Sequence, residues 1–227
     1  MSGGRLAAVG RRRAGLDIKL ALALGLAACG GCASPNLYTT PRATPVGKFN
    51  SVVAPQLTRR LDPRTDAFSV LLGARLGLAK RLDLGLRTNL AAVGGDIKWN
   101  AVRTDFFDLA LDGGVQVLPE TFYVDMPILA GFNLSEDISL LASTGITLGN
   151  GEEPSMNSRE TFDDGIQNHP PAGRVLIRGG LGAQFRFTPR FAVVPEFTYF
   201  GPLDGGRTGT SEFVSVGLGF CFGKHAY

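Results

Sequence analysis

The sequence predicts an all-β fold, a closed antiparallel up-and-down barrel that spans a membrane with about ten strands, eight being the alternative count. About eight stretches after residue 65 alternate between apolar residues and charged or small ones. Glycines and small residues share the charged parity, as a narrow polar lumen requires, while bulky apolar groups occupy the other parity. Beyond the amino terminus no run of about 18 apolar residues occurs, which excludes helical spans.

The amino terminus has the composition of an export signal. Arg5, Arg11–Arg13 and Lys19 are followed by the short apolar run Leu20–Ala28. This run is too short to cross a bilayer, so residues 1–28 are predicted to be a cleaved signal peptide. Without them the formal net charge changes from +3 to −1. The basic pI therefore belongs to the signal and gives no indication of a nucleic-acid partner.

The end of this signal contains a specific motif. Leu26-Ala27-Ala28-Cys29 resembles the lipobox of bacterial lipoproteins. The resemblance implies that lipoprotein-processing enzymes cleave before Cys29 and that this cysteine carries the lipid (palmitate and a diacylglyceryl group). Cys32 is the alternative acceptor, although Cys29 then stands where the motif has an aliphatic residue. The CxxC spacing also occurs in redox and zinc sites, but no second pair accompanies it, so no metal is predicted.

The mature chain is predicted to contain one domain. Residues 29–46 include Pro35, Pro41 and Pro45 and are expected to form an extended tether. The barrel is expected over residues 47–223, followed by a short tail, 224–227. Strands are expected at 48–56, 67–79, 82–92, 95–102, 105–117, 121–133, 138–149, 174–187, 191–201 and 211–222.

Several of these strands show the alternation directly. The third begins LDLGLRTN, the fifth contains FDLALDGGVQV, the sixth FYVDMPILAGFN and the eighth is RVLIRGGLGAQFRF. Alternation alone does not determine which face points outward, because soluble barrels and sandwiches share it with the apolar face inside. The recurrence of glycine on the charged face favours the membrane barrel.

The charged parity predicts an ion-pair network that closes the lumen. A barrel of ten strands is only moderately wider than the eight-stranded case that side chains fill, whereas open porins need about 16 strands. The alternative is a narrow selective channel for small solutes. The predicted network consists of Arg75, Arg87, Lys98, Arg174, Arg178, Arg186, Asp83, Asp96, Asp108, Asp112, Asp125 and Glu196.

Connection lengths predict the orientation. Residues 80–81, 103–104, 134–137 and 188–190 form tight turns, whereas 57–66, 150–173 and 202–210 are longer. Outer-membrane barrels place short turns in the periplasm and long loops outside. An even strand count then puts both termini in the periplasm, where a lipid on Cys29 would reach the inner leaflet.

The long loop 150–173 is the candidate for recognition chemistry. Its acidic residues Glu152, Glu153, Asp163 and Asp164 form a candidate cation site, with a solvated mobile loop as the alternative. A hydrolase would have to recruit His169 in this loop, and no phosphate loop, HExxH motif or dinucleotide fingerprint is present. We therefore predict no enzymatic activity and no cofactor.

The last strand contains a second motif. Ser215, Gly217, Phe220 and Phe222 resemble the C-terminal assembly signal of outer-membrane barrels, although five further residues follow. The chain thus resembles small bacterial outer-membrane barrel proteins with a lipoprotein signal. The resemblance implies a lipid-bilayer location, barrel-assembly machinery as a partner, and a structural or surface-recognition role.

Overall fold

The computed structural model describes residues 36–61, 65–89, 92–118, 122–150, 175–203 and 212–223. These residues form ten strands, as predicted. The strands are β1 Phe49–Arg60, β2 Thr65–Ala79, β3 Leu82–Thr88, β4 Val93–Arg103, β5 Phe107–Val117, β6 Phe122–Asn133, β7 Ile138–Asn150, β8 Val175–Thr188, β9 Phe191–Pro202 and β10 Phe213–Gly223. Because β1 and β2 pair as far as Arg60 and Thr65, residues 61–64 alone connect them, instead of the expected 57–66.

The ten strands close into a single antiparallel barrel. Each strand pairs with its neighbours in sequence, and β1 also pairs with β10, from Asn50 opposite Gly223 to Arg60 opposite Phe213. Closure leaves no strand edge unpaired, which is the condition for placing β-structure in hydrocarbon. The up-and-down barrel predicted from the sequence is confirmed.

The two faces of the strands differ as a membrane barrel requires. Leu86 and Val93 on the outer face are 60% and 63% exposed, whereas Asp83 and Lys98 point inward and are 0% and 1% exposed. A soluble barrel would place its apolar face inside, so that alternative is wrong. Within the described residues no helix is long and apolar enough to cross a membrane.

Aromatic side chains concentrate at one end of the barrel. This end, called here the tight-turn end, carries turns 80–81, 104–106, 134–137 and 189–190 and the start of β1; the opposite end is called the loop end. The ring centroids of Phe107 and Phe132 lie 5.1 Å apart, and those of Phe191 and Phe222 lie 5.3 Å apart. Such a belt is typical of the boundary between hydrocarbon and water.

The residues before β1 lie inside the barrel. The segment 36–46, called here the lumen segment, was expected to belong to an extended tether, yet Asn36, Tyr38 and Thr44 are 0%, 4% and 3% exposed. The difference has a physical cause, because a lumen lined by charged and small residues offers partners that a free tether would lack. Residues 29–35 lie outside the described residues.

Candidate functional site in the barrel lumen

The lumen segment is fixed near the middle of the barrel by one carboxylate. The backbone N–H groups of Leu37 and Tyr38 donate to the two oxygens of Glu196, at 2.9 and 2.7 Å, and the Thr198 hydroxyl donates to Oε1 at 3.2 Å. Hydrogen bonds to a charged acceptor are the stronger kind. Glu196, predicted to join an ion-pair network, thus binds backbone of the lumen segment.

The Tyr38 side chain fills a notch formed by glycines of β10. A Cβ atom on Gly217 would overlap the Tyr38 hydroxyl, and one on Gly219 would lie 2.8 Å from the ring. The hydroxyl accepts a hydrogen bond from Asn36 Nδ2 at 2.8 Å and lies 3.4 Å from Gln56 Oε1, to which it donates. The ring and its hydroxyl are therefore both held by side chains and glycines of the barrel wall.

The backbone of Tyr38 is strained. Its φ of 46° lies in the left-handed region, where glycine is the usual residue. Such a conformation costs about 1–3 kcal/mol and persists only where the surroundings enforce it. Here the Glu196 carboxylate fixes the Tyr38 N–H, and Cys221 Sγ lies 3.9 Å from the Tyr38 carbonyl.

Lys98 binds the central part of the lumen segment. Its Nζ donates to Thr39 Oγ1 at 3.0 Å, to the Thr40 carbonyl at 2.6 Å and to the Arg42 carbonyl at 3.0 Å. The same ammonium lies 3.3 Å from Asp83 Oδ2. One buried cation therefore satisfies three acceptors of the segment and one carboxylate of the wall.

Two carboxylates bind the segment close to the tight-turn end. Arg42 Nε lies 2.6 Å from Asp108 Oδ2, and its Nη2 donates to the Thr104 carbonyl at 3.0 Å. The Thr44 N–H donates to Asp83 Oδ2 at 2.8 Å. Asp108 thus pairs with an arginine of the lumen segment instead of a cation from a strand.

Part of the predicted network is present, as two clusters of ion pairs. In the first, Arg75 contacts Asp96, lies 3.0 Å from Asp83 Oδ1 and lies 3.7 Å from Asp112 Oδ2, with Lys98 on the other oxygen of Asp83. A Cβ on Gly85 would lie 2.6 Å from the Asp96 carboxylate oxygens. The glycine therefore leaves room for the ion pairs.

The second cluster lies nearer the loop end. Arg87 Nη2 lies 2.8 Å from Asp125 Oδ2, and Gln116 and Thr147 also donate to this carboxylate, at 3.0 and 2.7 Å. The Arg178 guanidinium lies over the Phe200 ring, 5.3 Å from its centroid. Arg186 is buried, at 8% exposure, and Arg174 lies outside the described residues.

Sequence reasoning missed Arg42, Tyr38 and Asn36. Their segment has no alternation and contains Pro41 and Pro45, which are also typical of a linker. The signals available were a tyrosine and an arginine in the segment that precedes the first strand, together with glycines at alternate positions of β10. No pattern within a single strand relates the residues before β1 to the glycines of β10.

The predicted assembly-signal residues lie on both faces of β10. Ser215 faces the lumen and accepts a hydrogen bond from Asn36 Nδ2 at 3.2 Å, whereas Phe222 lies on the outer face and is 46% exposed. Gly217 faces Tyr38. The assembly role of these residues stays a prediction.

Other predicted sites lie outside the described residues. They are the lipidation site Cys29 with its alternative Cys32, the loop residues Glu152, Glu153, Asp163 and Asp164, and His169. Among the residues that the structure describes, no group of three His, Cys, Asp or Glu side chains is placed to hold a metal ion.

Comparison with known proteins finds similarity in shape only. No family model matches the chain, and no curated protein matches its sequence. The COG4313 outer membrane channel from Pseudomonas putida F1 is 11% identical with a TM-score of 0.49, covering 85% of this chain and 100% of that one. Ail, the attachment invasion locus protein of Yersinia pestis, is 13% identical with a TM-score of 0.34, covering 77% and 97%. At these values the similarity gives no information about function.

Proposed function

We propose that this protein is a lipoprotein of the bacterial outer membrane whose closed barrel has a structural or surface-recognition role and does not conduct ions. The observation that carries the proposal is the occupied lumen. Residues 36–46 cross it, and the Arg75 and Arg87 clusters fill space beside them. A water-filled pathway along the course of residues 36–46 would have to displace this segment.

The outer-membrane location rests on the outer face and on the chain's amino terminus. A closed barrel with an apolar exterior and an aromatic belt suits a bilayer, and such barrels are a feature of bacterial outer membranes. The lipobox-like sequence ending at Cys29 supports export and lipidation. The partners would then be the bilayer, the lipoprotein-processing enzymes and the barrel-assembly machinery.

A narrow channel for small solutes is the second candidate, and one observation favours it. The lumen segment is not part of the barrel's strand ladder, since Val46 alone forms an isolated bridge, with Gly77. The segment could therefore leave the lumen without breaking the hydrogen bonds between strands. Channel activity would require this displacement.

Conductance across planar bilayers tests the proposal. We expect the refolded wild-type protein to be electrically silent and a variant lacking residues 36–44 to produce current steps. Heat-dependent gel mobility of both proteins serves as the control for a folded barrel. Wild-type steps as large as those of the deletion variant would contradict a closed lumen and favour the channel.

A further inference from the structure

We infer that the chain threads its own barrel, so that the residues preceding Asn36 emerge at the loop end and carry the lipidated Cys29 to the cell surface. The inference rests on the proposed outer-membrane location for its assignment of the loop end to the outside. It differs from the expectation that the amino terminus is periplasmic.

The contacts of the lumen segment change in order along the barrel. Thr44 binds Asp83, the second residue of β3, and Arg42 reaches the Thr104 carbonyl in a tight turn. Both contacts lie at the tight-turn end. The segment therefore enters the lumen where β1 begins.

Farther back along the chain, the contacts move towards the other end. Tyr38 binds Glu196 in the middle of β9. Asn36 then binds Ser215, which is two residues from the start of β10, and Ser215 lies 3.2 Å from Thr58, two residues from the end of β1. Both of these strand ends belong to the loop end. From residue 46 to residue 36 the chain thus crosses most of the lumen.

Reach determines where Cys29 can lie. Cys29 lies seven positions before Asn36, and a chain of this length spans about 25 Å at full extension. The loop end is about 7 Å from Ser215 along β10, at 3.3 Å per residue. The tight-turn end is about 26 Å away along the same strand, through a lumen that residues 37–46 already occupy. Cys29 therefore reaches the rim of the loop end and the lipid beside it.

The chemistry of the lumen suits this path. The wall binds the segment through polar groups, Lys98, Asp108 and Glu196, and through a glycine notch that accepts one aromatic ring. An acyl chain at the emerging end would enter the outer leaflet at the rim. The chain would then have two anchors, the barrel that spans the membrane and the acyl chain inserted in the outer leaflet.

The test is an epitope inserted between Ser34 and Pro35, probed with antibody on intact and on permeabilised cells. An insert is too bulky for the filled lumen and emerges at whichever end the chain leaves. Two exposed glutamates provide matched reporters of orientation, Glu136 in a tight turn and Glu212 at the loop end. Each is replaced by cysteine in a Cys32→Ser, Cys221→Ser background and labelled with a membrane-impermeant maleimide.

We expect the epitope to be detected on intact cells to the same extent as Glu212→Cys is labelled, with Glu136→Cys labelled only after permeabilisation. An epitope detected only after permeabilisation, with the reporters as expected, would overturn threading and leave the proposed function intact. If neither Glu136→Cys nor Glu212→Cys is labelled on intact cells, the outer-membrane location is overturned instead. If the insert abolishes the heat-dependent mobility shift, the barrel has not folded, and Ala33→Cys without an insert is used instead. Its maleimide labelling on intact and on permeabilised cells is compared with that of Glu212→Cys and Glu136→Cys.

Discussion

Lys98 joins the barrel wall to the lumen segment. It is 1% exposed, it donates to three acceptors of the segment, and it lies 3.3 Å from Asp83. A buried ammonium is tolerated only when its donors are used and its charge is compensated. Both conditions are met here by groups from different parts of the chain.

Replacing Lys98 with methionine should therefore loosen the segment while leaving the barrel closed. Loss of one partner of a buried ion pair costs about 3–5 kcal/mol, and because Asp83 keeps Arg75 we expect a decrease in unfolding free energy of about 2–3 kcal/mol. Urea unfolding in detergent micelles measures this change. Lys80→Met, in an exposed turn, is the control and should leave the midpoint unchanged. Equal midpoints for the two variants would contradict the role of Lys98.

Among the structural elements, β10 packs closely against the lumen segment because two of its inward-facing residues are glycines. Gly217 and Gly219 leave the space that Tyr38 fills, and Ala54, Leu71 and Val194 complete the surroundings of the ring. Packing of this kind is sensitive to single added carbon atoms. The strand therefore determines which side chain can occupy the notch.

Gly217→Ala tests this fit. The new methyl group would overlap the Tyr38 hydroxyl, and overpacking of this kind costs about 1–3 kcal/mol. We expect a lower urea midpoint and faster proteolysis of the amino-terminal segment. Gly179→Ala on β8 has no atom within 4 Å of the new carbon and should behave as the wild type.

A double-variant comparison makes this test specific. In the Gly217→Ala background, Tyr38→Phe removes the overlapping oxygen, so it should cost less stability than it does in the wild type. If the two costs are equal, the ring does not occupy the notch.

The elements differ in how far the sequence determines them. Strands such as β3 and β5 follow from alternation with a period of two, because each residue's face depends only on its position in the strand. The inward placement of Asp83, Asp108 and Asp125 follows from the same rule. The lumen segment could not be predicted this way, since its conformation is set by contacts with Glu196 and Gly217, more than 150 positions away.

The pairing of charges was predictable only in part for the same reason. Inward parity places Arg75 and Asp96 in the lumen, but it does not say which partners meet. Asp108 illustrates the limit, because its partner Arg42 belongs to no strand. Register and chain path across the barrel decide such pairs, and neither is contained in local sequence.

On the scale of the whole molecule, the barrel and the lipid proposed on Cys29 would contribute separately to membrane attachment. The exterior presents a continuous apolar surface, with side chains such as Leu181 and Phe187 each 67% exposed. Burial of apolar surface contributes about 25 cal/mol per Å², so a face of this extent favours the bilayer strongly. The lipid proposed on Cys29 would add a second anchor, whose strength depends on the number of acyl chains that it carries.

Cys29→Ser should therefore abolish palmitate labelling while the protein stays in the membrane fraction. We expect carbonate and urea washes to leave the variant in the pellet and boiling to shift its gel mobility as for the wild type, because the closed ladder from β1 to β10 does not depend on the lipid. Cys32→Ser is the matched control and should keep the label. Release of Cys29→Ser by carbonate would mean that the lipid alone holds the chain and that the apolar exterior does not contact hydrocarbon.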